Sequence, residues 1–175
     1  MKPVLVKNGR VIDPSRNLDE ATSLLVQDGQ IAGIGLDVHA PEGAEIIDAK
    51  GLVIAPGLID VHVHLREPGQ EERETIATGA RSAAAGGFTG ICAMPNTDPV
   101  IDEPSLVDFL LRRAAATARV RVLPCAALTK GLAGETMTEI GLLKEAGAIA
   151  FTDGDRSVAN ARVLRRALSY AATFD

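Results

Sequence analysis

Short apolar runs separated by turn dipeptides mark the first fifty residues. VLV, SLLV, QIAGI and EIIDA are bounded by Asn8-Gly9, Asp28-Gly29 and Lys50-Gly51. Asn-Gly and Asp-Gly suit two-residue type I′ turns, where both residues take positive φ, so the first two dipeptides predict hairpins. The pattern predicts a small antiparallel β domain over residues 1–55.

After Pro56 the rhythm changes to strand followed by helix. Strands are predicted to begin near Gly57, Gly90, Val120 and Ala148, a spacing of roughly 30 residues that suits the βαβ unit. Behind the cap candidate Asp102, Leu106, Val107, Leu110, Leu111 and Ala114 form an apolar helical stripe. Thr136 and Glu139 have the spacing of a capping box, and Gly86-Gly87 and Gly147 mark helix exits. Asn160 to Phe174 is predicted as a fourth helix, with Val163, Leu164, Ala167, Leu168 and Ala171 on one side.

Parallel strands flanked by helices form either an open doubly wound sheet or a (β/α)8 barrel. The segment after the first strand, REPGQEERET, lacks a glycine-rich phosphate loop, which disfavours the dinucleotide-binding form. The α/β fold class is therefore a TIM barrel, and a partial one. A complete barrel takes about 250 residues, whereas the chain has 175 and begins this region at Pro56. Residues 56–175 are read as the first four β/α units, an incomplete first half of a barrel. The open strand edges this leaves point to a fragment, or to a second chain that supplies the rest.

Composition narrows the partners. At 46% hydrophobic residues the chain can build a core, and 23 acidic against 18 basic residues give a net charge of −5. No basic cluster exceeds a pair, so nucleic acid is excluded as a partner. No apolar run approaches the roughly 20 residues that cross a bilayer, and a cytoplasmic location is expected by default. Cys92 and Cys125 fall in predicted buried strands and are read as core filling.

The stretch LIDVHVHLREPG, Leu58 to Gly69, carries the candidate chemistry. In a regular strand Asp60, His62 and His64 share one face. Two histidines on one face, at the end of a strand where barrel active sites lie, can point two nitrogens at one cation. Asp60 is read as a supporting group that either orients a histidine or bonds nearby backbone. His39 lies in the β region and is read as a surface residue.

PGLIDVHVHLREPG, then GGFTGICAMPNTDP, then AIAFTDGD resemble, in order and spacing, the amidohydrolase superfamily, and within it the class I (bacterial) dihydroorotases. The resemblance runs from about Lys7 to the end of the chain. It implies that His62, His64 and Asp153 hold a metal centre of one or two zinc ions, and that Arg66 and Asn96 grip a substrate carboxylate. Many relatives use a carboxylated lysine at the strand end; Ala150-Phe151-Thr152-Asp153 contains none, which fits a dihydroorotase better than a hydantoinase. The family often carries two adjacent aspartates where this chain has Asp153-Gly154-Asp155, and Asp155 is read as a loop carboxylate. Glu67, Pro68 and Gly69 are read as shaping the loop.

The implied activity is the zinc-dependent, reversible hydrolysis of dihydroorotate to N-carbamoyl-aspartate. The general acid/base aspartate is expected beyond residue 175, so the 175 residues alone are expected to be inactive. The alternatives are an allantoinase or hydantoinase, and a non-catalytic subunit that scaffolds aspartate transcarbamoylase. A homo-oligomer is expected.

Overall fold

The computed structural model describes residues 2–174, and the chain divides into two compact units, Met1–Pro56 and Gly57–Asp175. In the first unit β1 (Val4–Asp13), β2 (Leu18–Gln27) and β3 (Gln30–Ile34) form an antiparallel meander, while β4 (Glu45–Asp48) and β5 (Val53–Ile54) both pair with β1 in parallel. The sheet is therefore mixed, which corrects the purely antiparallel expectation. Asp28-Gly29 makes the predicted hairpin, with φ of 51° and 75°, and joins β2 to β3 directly.

Asn8-Gly9 does not turn the chain. β1 runs straight through it, and the register with β2 shifts between Val6 and Gly9, so the pair forms a bulge. Two contacts explain the substitution of bulge for hairpin. Asn8, at φ 63°, donates its side-chain amide to Asp48 at 2.9 Å. A Cβ on Gly9 would lie 2.6 Å from Ile54 Cδ1. The turn from β1 to β2 falls instead at the single 3-10 turn Pro14–Arg16, closed by Asn17 in the left-handed region.

The second unit is a parallel sheet in the order β6 (Leu58–Val63), β7 (Phe88–Ala93), β8 (Arg121–Ala126), β9 (Ala150–Phe151). The helices α1 (Ile76–Ala85), α2 (Pro104–Thr117) and α3 (Ile140–Glu145) connect successive strands, and α4 (Ala161–Ala171) follows β9. Val107, Leu110 and Ala114 of the predicted stripe are the buried face of α2. One core joins them to the sheet: Leu65, Ile76, Ile91, Ala93, Leu110, Ala114 and Val122 pack together. A second core sets Ile101, Val107, Ala126, Leu143 and Ala148 between α2 and α3. Burying the leucine, isoleucine and valine side chains of these cores contributes about 1.5–3 kcal/mol each.

Several caps differ from the pattern. Asp102 does not cap α2; its carboxylate accepts from Gly131 N at 2.8 Å, and Glu103 stands at the cap position without a side-chain bond. The Thr136/Glu139 box is not formed, because α3 starts only at Ile140 with Glu139 as an unbonded cap. The capping box that does form belongs to Thr75 and Thr78 at α1. α4 is capped by Asn160, which accepts from Arg162 N and Val163 N, and its Ala167 is fully buried while Leu168 is 59% exposed.

Cys92 and Cys125 are buried in β7 and β8. Burial pushes the Cys125 thiol up to about 11 from an ordinary 9.0, with the neighbouring Cys92 adding to the shift. Between those values the unfolded thiol loses its proton and the folded one keeps it. The contribution is thus present below pH 9 and is lost as pH rises through about 11. Urea titrations across that window should show stability falling with pH in the parent and falling less steeply in Cys125→Ala. Equal slopes would remove Cys125 as a cause.

Candidate metal centre

The histidine pair owes its geometry to an irregularity in β6. Asp60 pairs with Ile91 and Val63 with Ala93, so three steps along β6 match two along β7 and one residue is extra. The alternation predicted for Asp60, His62 and His64 is broken at that point. Ile91 and Ala93 face the helices, in the core with Leu110 and Ala114, and Asp60 and His64 both line a cavity with Gly79, Ser82 and Ile91. Among the described residues Asp60 is not one of the groups whose ligand atoms cluster with the two histidines. Its carboxylate accepts from His62 N at 2.9 Å, the backbone option of the two considered, and so satisfies an amide that the bulge takes out of the ladder.

Beyond the bulge the two imidazoles come together, with ring centroids 5.1 Å apart and planes at 74°. His64 Nδ1 lies 2.8 Å from Asn96 Oδ1. A carbonyl oxygen only accepts, so Nδ1 donates, and in the neutral imidazole this leaves the lone pair on Nε2 of His64. Asn96 thereby favours the tautomer of His64 that presents Nε2, and its amide nitrogen remains a donor for another group.

The third acidic position departs from the expectation. Among the described residues, His62, His64 and Asp155 offer ligand atoms that all lie within 4.8 Å of one another. Asp153 is not in that group. It is buried, at 4% exposure, and accepts from Thr129 N at 2.9 Å and from the Thr129 hydroxyl. Thr129 in turn accepts from Gly134 N at 2.8 Å. Gly154, at φ 62°, separates the two aspartates. The turn sends Asp155 to the histidines while Asp153 stays tied to the loop after β8.

Arg66 and Asn96 are brought together. With Asp153, Asp155 and Arg156 they line a cleft of about 380 Å³, and of these Asn96 and Asp155 also reach the histidines. Arg66 sits at φ 61°, and Glu67 N donates to Leu65 O at 2.8 Å, which makes Arg66 the apex of a γ-turn. For a non-glycine residue such backbone costs about 1–3 kcal/mol and persists only where its surroundings fix it. Buried Leu65 anchors one side, and buried Glu67 anchors the other. The Asn96 loop is tied alongside: Asp98 N donates to Pro68 O at 3.0 Å. A Cβ on Gly69, at φ 96°, would lie 1.9 Å from the Asp98 carbonyl oxygen, so the approach of the two loops requires glycine.

Residues 51–175 match the family model described as dihydro-orotase-like. The chain belongs to that family. It is 50% identical over 173 residues to a dihydroorotase of Solibacter usitatus, covering 99% of this chain and 40% of that protein. It is 51% identical over 168 residues to a dihydroorotase of Citrifermentans bemidjiense, covering 96% and 40%. Its fold resembles the L-hydantoinase of Arthrobacter aurescens, with a TM-score of 0.74 and 29% identity over 86% of this chain and 32% of that one. A D-hydantoinase aligns over 99% of this chain and 38% of its own, with a TM-score of 0.76 at 24% identity, a likeness of fold alone. The family is thus of the α/β amidohydrolase kind, and the chain spans about 40% of the length of the curated relatives it matches.

Sequence reasoning missed Asp155 as a neighbour of the histidines. The signal was the glycine between two aspartates, which permits a turn but does not state its direction. In the intact protein, Asp155→Asn should weaken metal affinity by about tenfold or more, read by competition with a chromophoric chelator. Asp153→Asn should leave affinity closer to the parent and speed amide exchange at Thr129. The reverse ranking would return the ligand role to Asp153.

Proposed function

We propose that this chain supplies the metal-binding and substrate-gripping part of a zinc-dependent dihydroorotase, which reversibly hydrolyses the cyclic amide of dihydroorotate to N-carbamoyl-aspartate. The observation that carries the reading is the convergence of Arg66 and Asn96 on one cleft with the His62, His64 and Asp155 cluster. The four-stranded sheet is read as the first half of an eight-unit barrel. Apolar positions on β6 support this: Leu58 is 56%, Ile59 63% and Val61 73% exposed. Such positions suit a strand that is covered in the longer protein.

Two imidazole nitrogens and one carboxylate oxygen within a few ångströms are a donor set that suits zinc, whose catalytic sites commonly take three protein ligands and leave a fourth position open. His62, His64 and Asp155 would hold the ion, and His64 would bind through Nε2 because Asn96 engages Nδ1. When bound, zinc supplies Lewis acidity towards a carbonyl and a water acidic enough to react near neutral pH.

The chain's own residues account for the rest of recognition. The Arg66 guanidinium can grip the substrate carboxylate through two parallel hydrogen bonds, and the Asn96 amide nitrogen adds a neutral donor. Gripping that group fixes the ring so that its amide carbonyl faces the histidine cluster. Hydrolysis adds oxygen to the carbonyl carbon, breaks the ring C–N bond and delivers a proton to the nitrogen. The proton donor is proposed to be an aspartate from the portion of the protein beyond residue 175.

A hydantoinase reading draws on the structural likeness to that group. Arg66 and the absence of lysine from Ala150 to Asp153 favour the dihydroorotase. Turnover of dihydroorotate, hydantoin and allantoin by the intact protein separates the substrates. A dihydroorotase should use the first in strong preference, and Arg66→Ala should raise its KM by about tenfold or more while zinc content is retained. Preferred turnover of hydantoin, or an Arg66→Ala enzyme that loses zinc in proportion to activity, would overturn the assignment.

A further inference from the structure

Glu67 follows Arg66 directly and is one of the few buried charged residues of the chain, at 3% exposure. Both of its carboxylate oxygens are occupied. Oε1 accepts from Arg113 Nε at 2.6 Å, and Oε2 accepts from Ile76 N at 2.8 Å. Arg113 belongs to α2, and Ile76 is the first residue of α1, whose unbonded amides favour a negative group. The carboxylate therefore fastens the loop after β6 to two helices at once.

The turn it fastens is the one that aims Arg66. Glu67 N closes the γ-turn on Leu65 O, and Gln70 N donates to Arg66 O at 2.9 Å on the far side. Leu65 is held in the core. With its two neighbours fixed, Arg66 keeps a left-handed backbone that its side chain does not favour. Arg113 lies 46 positions from Glu67 in sequence and, with its side chain 46% exposed, closes the carboxylate's outer side.

We propose that Glu67 is a positioning residue for substrate binding: clamped between Arg113 and Ile76 N, it fixes the γ-turn that points Arg66 at the substrate carboxylate. The inference rests on the reading of Arg66 as the group that grips the substrate. Glu67 itself touches neither substrate nor metal, and its effect passes through Arg66.

A double-mutant cycle in the intact protein tests this, using Glu67→Gln, Arg66→Ala and the pair together, with KM, kcat and zinc content measured for each. Glu67→Gln keeps the shape of the side chain but weakens the charge-assisted bond to Arg113, and should raise KM by about tenfold with kcat within about twofold. Zinc content should equal that of the parent. The pair should show the KM of Arg66→Ala alone, since a residue acting through Arg66 has nothing left to position. Effects that multiply, a Glu67→Gln enzyme with parental KM, or a loss carried by kcat would overturn the proposal. If Glu67→Gln does not accumulate as folded protein, Arg113→Gln at the half-exposed end of the pair takes its place in the same cycle, with the same pattern expected. Should Arg66→Ala itself leave KM unchanged, the reading of Arg66 fails and the positioning role falls with it; a raised KM in Arg66→Ala beside an unaffected Glu67→Gln defeats the positioning role alone.

Discussion

A single buried carboxylate, Glu67, joins the elements on which the second unit is organised. A charge taken out of water is costly unless every lone pair facing the interior is used, and here one oxygen meets a guanidinium and the other a helix N-terminal amide. Because the Arg113 side chain is half exposed, water screens the pair, and losing Arg113 costs less than the ~3–5 kcal/mol typical of a fully buried pair. The constraint works in both directions. It fixes the start of α1 and the C-terminal part of α2 relative to the loop after β6, and with them the γ-turn at Arg66. His64, suited to a cation, and Arg66, suited to an anion, stand two residues apart in sequence, and the anchor holds the backbone next to the second.

The bulge in β6 has the complementary role. A regular strand would have sent Asp60 to the same face as the histidines and set a third acidic group beside them. Instead Asp60 stays out of the ligand cluster and accepts from the His62 amide, so the extra residue costs no unpaired donor. The histidines are left with each other and with Asn96, which selects the tautomer of His64. An irregularity that weakens one pair of strands therefore organises the site, as bulges beside functional sites commonly do.

Much of this was legible in the sequence, for identifiable reasons. The β/α rhythm was readable because glycines and apolar stripes recur at strand and helix spacing, as Val107, Leu110 and Ala114 show. The histidine pair was readable because both members lie in one short segment. Local signals failed where tertiary contacts won. Asn8-Gly9 has hairpin chemistry, yet the approach of Ile54 and the bond to Asp48 make it a bulge. Asp102 has cap chemistry, yet Gly131 claims its carboxylate. The clamp on Glu67 could not be read at all, since its partners lie nine and 46 positions away and a lone acidic residue in a loop carries no such information.

Asp153 and Asp155 show how the sheet itself gathers the site. In a parallel sheet every strand ends at the same edge, so successive β/α units each add a group to one rim. β6 contributes the histidines, the loop after β7 contributes Asn96, the loop after β8 contributes Thr129, and the loop after β9 contributes both aspartates. In a flat sheet the first and fourth of these strands would stand about 14 Å apart, three strand spacings of about 4.8 Å. The ligand atoms of His62, His64 and Asp155 nonetheless meet within 4.8 Å. Curl of the sheet and inward reach of the last loop must close that gap together. Asp153, bonded to Thr129 across the rim, fixes where the loop begins, and the left-handed Gly154 sets its direction. The carboxylate that is tied down is thus the one that allows its neighbour to reach the histidines.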